Sequence, residues 1–101
     1  MPKFLIEVPH ESDTVECARV VKVFLATGSH FLANVEWGCM DGVHSAFLVA
    51  DVADKTEARA ILPAAFRAQA RIVGLTRFTM AQIQATLRRY GAADQESESG
   101  G

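Results

Sequence analysis

The stretch Trp37-Gly38-Cys39-Met40-Asp41-Gly42-Val43-His44-Ser45-Ala46-Phe47-Leu48-Val49 decides the fold. Asp-Gly between two apolar runs is a hairpin signal, because a tight turn needs positive φ, which Gly adopts without strain and Asp tolerates. The stretch therefore predicts one strand from about His30 to Gly38 and a second over Val43 to Val52. A two-residue turn pairs Met40 with Val43 and sets Cys39 opposite His44. Alternation then puts Val35, Trp37, Ala46 and Leu48 on one face and Leu32, Phe47 and Val49 on the other.

Upstream, Lys3 to Val8 reads as a strand closed by Pro9. Ser12-Asp13-Thr14 opens a helix, with Glu16 three residues beyond Asp13 as in a capping box. Cys17, Val21, Phe24 and Leu25 form its inward stripe, and Gly28 stops it. Downstream, Asp54 caps a second helix whose apolar face is Ala58, Ile61 and Leu62. Pro63 breaks that helix, which restarts briefly through Ala64-Ala65-Phe66. Ala70 to Leu75 is the fourth strand. Thr79 caps a third helix with Met80, Ile83 and Leu87 as its buried stripe, ending at Tyr90-Gly91. Residues 1–91 make one domain, and the small, acidic segment 92–101 is expected to be disordered.

Strand, helix, hairpin, helix and strand give an α+β fold of ferredoxin-like βαββαβ order. The expected sheet is antiparallel, in the order 4-1-3-2, with two helices on one face and a C-terminal helix added. The opposite sheet face is left bare and apolar, which predicts a homodimer whose sheets pack face to face.

Composition narrows the function. The chain has 101 residues, half of them hydrophobic and 22% charged, with a formal net charge of −2. That balance suits a globular domain. It gives no electrostatic basis for nucleic-acid binding, since Arg67, Arg71, Arg77, Arg88 and Arg89 come without a set of stacking aromatics. No run is long enough to cross a membrane and no export signal opens the chain, so the expected compartment is the cytoplasm, with Cys17 and Cys39 as free thiols.

Two constellations carry chemistry. The expected topology brings His10, Cys17, Cys39 and His44, from three separate segments, to one end of the sheet. Two cysteines and two histidines suit tetrahedral zinc, and also nickel or copper. Their spacing matches no standard zinc motif, and the bland alternative stays open: two small core cysteines and a solvated hairpin-tip histidine. The second constellation lies on the bare face. Leu5 and Glu7 of the first strand and Leu32, Asn34 and Glu36 of the second share it with Phe47 and Val49, and a desolvated Glu7 oriented by Asn34 suits proton abstraction from a small hydrophobic ligand. The alternative is an ion pair of Glu7 with Arg71 or Arg77. Trp37 is a packing anchor or a ligand-stacking ring. Phe66 and Arg67 edge the pocket, where an arginine can hold an anion. No phosphate-cradling loop, nucleotide fingerprint or nucleophile elbow is present.

On its element order, its Trp37…Asp41-Gly42…Phe47-Leu48-Val49 hairpin and its helix broken at Leu62-Pro63, the chain resembles the dimeric α+β barrel superfamily over residues 3–90. That superfamily includes muconolactone isomerases and antibiotic-biosynthesis monooxygenases. The opening Met1-Pro2-Lys3-Phe4-Leu5 resembles a small nickel-binding group within it. The resemblance implies a dimer but not a reaction, since such barrels host oxygenation, isomerisation, haem chemistry and plain binding. Three expectations follow in order: a transition-metal-binding protein, a cofactor-independent isomerase or monooxygenase, and an accessory dimer without chemistry.

Overall fold

In the computed structural model, which describes residues 1–91, the sheet is built around β1 (Lys3–Pro9). Segment 92–101, expected to be disordered, lies outside the described residues. β1 pairs antiparallel with β3 (Ser45–Asp51) on one side and with β4 (Arg71–Leu75) on the other. Ile6 stands opposite Leu48 and Ile72. A two-residue β2 (Glu36–Trp37) extends the far edge of β3, giving the order β2-β3-β1-β4. Read from the other edge, that order is 4-1-3-2.

Alternation separates the two faces. Phe4, Ile6 and Val8 of β1, Ala46, Leu48 and Ala50 of β3, and Ile72 of β4 are buried. They join Phe24 of α1 (Thr14–Ala26), Leu32 of α2 (His30–Ala33), and Ala58 and Leu62 in and just after α3 (Lys55–Ala60) in one core. Thirteen hydrophobic residues make that core, so burial of apolar area is the main source of stability.

The helix ends follow their sequence signals. Asp13 accepts the Glu16 N–H (3.0 Å), Asp54 accepts the Glu57 N–H (2.8 Å), and Thr79 and Gln82 form a reciprocal capping box. Past Pro63 the chain takes one 3₁₀ turn, Ala64–Phe66.

Three expectations need correction. His30–Ala33 is a helical turn rather than the start of a strand. The Asn34 side chain donates to the His30 carbonyl (2.9 Å), so a local partner competes with strand pairing. Leu32, expected on the bare face, is consequently 1% exposed in the core, because strand alternation does not reach it. In α1, Phe24 is buried with Val20 and Val21 half-buried, while Leu25 points outward, one helical step off the stripe. Finally, α4 (Met80–Arg89) has no buried residue: Met80 is 71% exposed, so the stripe with Ile83 and Leu87 lies outside the core cluster.

Candidate metal centre

The hairpin tip is built differently from a two-residue turn, and the expected register holds only as far as the ladder. Trp37 stands opposite Ala46 as expected, but the ladder stops short of Cys39 and His44, which do not pair directly. Between the strands Cys39–Asp41 forms a 3₁₀ turn closed by Gly42 at φ 81°, and the Gly38 N–H donates to the Ser45 carbonyl (3.1 Å). The Asp41 and Val43 N–H groups both donate to the Gly38 carbonyl, at 3.0 Å each. Gly38 has no room for a side chain. A Cβ there would sit 2.7 Å from the Val43 carbonyl oxygen, which is backbone and cannot swing aside. Gly38→Ala is therefore expected to lower stability by about 1–3 kcal/mol through overpacking at the tip. Gly74→Ala, whose Cβ meets only the Phe4 ring at 3.5 Å, is the control and should change little. Urea unfolding of the two variants checks this, and equal stabilities would contradict the crowding.

Three elements converge on the tip. The ladder continues past Pro9, where the His10 N–H donates to the His44 carbonyl (3.0 Å) and holds the two histidine backbones side by side. Cys17 enters from the first turn of α1, whose start is set by the Asp13 cap and by the Cys17 N–H donating to the Asp13 carbonyl (2.8 Å). Cys39 comes from the 3₁₀ turn. One sulfur or ring nitrogen from each of His10, Cys17, Cys39 and His44 lies within 4.8 Å of the other three. All four residues are half-buried.

The hydrogen bonds have a definite direction. The Glu11 carbonyl can only accept, so His10 Nδ1 carries the proton and donates to it (2.9 Å). That leaves the Nε2 lone pair facing Cys39 Sγ at 3.2 Å. Cys17 Sγ in turn donates to Cys39 Sγ at 3.1 Å. Burial pushes the Cys39 thiol up from its ordinary range, and the Cys17 thiol adds to this by hydrogen bonding and by charge. The Cys17 S–H thus points to the Cys39 sulfur, and the Cys39 thiol faces the imidazole lone pair of His10. His44 Nδ1 is buried with no hydrogen-bond partner among the described residues. An orphaned imidazole nitrogen beside two thiols, with a second imidazole oriented through its remote N–H by a carbonyl, matches how metal-ligating histidines are held.

Trp37, expected on the face of Val35, Ala46 and Leu48 as a packing anchor or a stacking ring, packs against the core on that covered face, beside this cluster. Its ring is 5.9 Å from His10 and 5.2 Å from Phe24, which in turn lies 5.3 Å from Phe66. These rings wall the site with apolar surface. Phe66 also lines an open cleft of about 640 Å³ with His10, Glu11, Glu16, Val20 and Gln69, so it neighbours the Cys/His cluster and not the opposite face. Arg67 lies apart from the bare-face groove, lining a pocket of about 310 Å³ with Lys55 and Arg59. Its guanidinium donates to the Leu62 carbonyl (2.9 Å) and the Ala60 carbonyl (3.2 Å), satisfying the end of α3 at the Pro63 break.

On the bare face, Leu5, Asn34, Glu36, Phe47 and Val49 line a shallow groove of about 210 Å³. Glu7 is not among its lining residues. It accepts from Ser45 Oγ (3.2 Å) and lies 3.9 Å from the guanidinium of Arg71, its cross-strand neighbour. The structure thus separates the expected base from its expected orienter and gives Glu7 the ion pair that was the alternative.

Sequence reasoning missed one contributor, the Glu11 carbonyl, which fixes the His10 tautomer, a backbone role without a residue-type signal. Gly38, an isolated glycine for which a turn or close-packing role suffices by sequence, allows the hairpin tip to close. Comparison with protein-family models, with curated proteins and with solved structures gives no significant match to this chain.

Proposed function

We propose that this chain is a transition-metal-binding protein in which His10, Cys17, Cys39 and His44 hold one ion. The observation that carries the reading is the convergence of four ligand atoms within 4.8 Å of one another. In a tetrahedral site with metal–sulfur bonds near 2.3 Å and metal–nitrogen bonds near 2.0 Å, ligand atoms sit roughly 3.3–3.8 Å apart, so small side-chain adjustments suffice. Two thiolates and two imidazoles favour zinc, with copper and nickel as competitors. Four protein ligands fill a tetrahedral shell and leave no open position for a substrate, which supports a structural, storage or transfer role over metal catalysis.

The test is native mass spectrometry and elemental analysis of untagged protein prepared without added metal. We expect about one metal per chain, removed by a strong chelator and restored by zinc under reducing conditions. Reduced protein that stays metal-free in the presence of zinc would overturn the reading.

The element order and sheet order support a ferredoxin-like classification. The half-exposed apolar side chains of the bare face, Val49 at 51% among them, support a homodimer that covers them. No helix among the described residues is long and apolar enough to cross a membrane. The enzymatic alternative draws no support from Glu7, which does not line the bare-face groove.

A further inference from the structure

We propose that Cys17 and Cys39 form a redox gate on this metal site, in which their oxidation to a disulfide removes two of the four ligands and expels the ion. The proposal rests on the metal reading above and goes beyond it by assigning the site its regulation. Its basis is geometric. Cys17 Sγ and Cys39 Sγ are already in contact at 3.1 Å, and a disulfide needs them only about 1 Å closer. Both cysteines are free and half-buried, so a small oxidant reaches them.

The two sulfurs also sit on independent supports. Cys17 is anchored in α1, whereas Cys39 lies in a three-residue 3₁₀ turn whose next residue, Met40, is fully exposed. The tip can therefore move toward α1 without disturbing the core. The His10 and His44 backbones are joined by a bond of their own, and the His10 ring is also held by the Glu11 carbonyl.

The chemistry balances with a hydroperoxide as oxidant. One thiolate sulfur attacks the peroxide, the O–O bond breaks, and hydroxide leaves to be protonated, giving a sulfenic acid. The second thiolate attacks that sulfur, the S–O bond breaks, and a second hydroxide leaves and is protonated. Two thiolates have lost two electrons, and hydrogen peroxide has become two waters with the uptake of two protons. A disulfide carries no anionic sulfur, so the ion keeps only two imidazoles and dissociates. A dithiol reductant reverses the sequence and restores the site.

The experiment loads reduced full-length protein with zinc, adds hydrogen peroxide stepwise, and follows zinc release with a chromogenic chelator. Intact mass after alkylation counts the disulfide in the same samples. We expect about one zinc released per Cys17–Cys39 disulfide formed, and recapture after dithiothreitol. Zinc that stays bound when the disulfide has formed, or cysteines that pass to sulfinic acid without pairing, would overturn the gate and leave the metal reading standing. Failure of the reduced protein to take up zinc at all would overturn both.

Discussion

Zinc at about one hundred times its dissociation constant is expected to raise the melting temperature of the reduced protein by roughly 10–20 °C, and Cys39→Ser to abolish most of that rise. A ligand that binds only the native state adds about 2.7 kcal/mol at this saturation. In a domain of this size each kcal/mol is worth about 4–8 °C. Cys39 is the position of choice because its sulfur touches two of the other three ligands, Cys17 at 3.1 Å and His10 at 3.2 Å. Serine keeps the size and a hydrogen-bonding group, so the metal-free protein should melt within a few degrees of the unsubstituted one. The separation of the two effects is the point of the experiment: metal-dependent stability falls while metal-free stability holds. His30→Ala is the control, since His30 is not one of the clustered residues and should leave the zinc response intact. A Cys39→Ser protein with an undiminished zinc response would show that the ion binds elsewhere.

Phe24→Ala should destabilise the fold by about 3–5 kcal/mol, the usual cost of emptying a buried aromatic site. Phe24 is 1% exposed, among the largest fully buried side chains, and its ring meets both Trp37 and Phe66. No small rearrangement fills the space, because its neighbours are held by the sheet on one side and by the Pro63 break on the other. A domain of this kind has a total stability of only about 5–15 kcal/mol, so the variant should be largely unfolded in mild urea. Phe24→Leu, which retains most of the volume, should cost clearly less. Phe24 also ties α1 to the aromatic wall of the Cys/His cluster, so on the proposed reading Phe24→Ala should weaken zinc binding by loosening Cys17. Urea midpoints measure the first effect and competition with a chelating dye measures the second. A loss below about 1 kcal/mol would contradict the packing described here.

The candidate metal centre was legible because it depends on strand order and hairpin register. Both follow from short-range signals: Pro9 after an apolar run, Asp13 before α1, and Asp41-Gly42 between two strands. The expected pairing survived as far as Trp37 opposite Ala46 and the Gly38 N–H on the Ser45 carbonyl, and beyond that bond Cys39–Asp41 coils into a 3₁₀ turn in place of the expected Cys39–His44 pair. The bare-face site was read less well. It rested on extending strand alternation back to Leu32 and Asn34, and alternation has no meaning once His30–Ala33 coils into a helical turn. A side-chain bond from Asn34 to the His30 carbonyl, local but weak as a sequence signal, decided that.

What the sequence determined by itself is therefore whatever is encoded within a few residues: the caps at Asp13, Asp54 and Thr79, the break at Pro63, the period-two burial of β1 and β3, and through these the convergence of two cysteines and two histidines. What only the tertiary structure decided is which long-range partner each side chain takes. Glu7 meets Arg71 and Ser45 instead of Asn34, Arg67 turns back onto the carbonyls of α3, and the stripe of α4 stays outside the core. The reason is physical. Caps, turns and alternation are set by backbone sterics and local hydrogen bonds, whereas ion pairs and helix docking depend on distances across elements that no local pattern records.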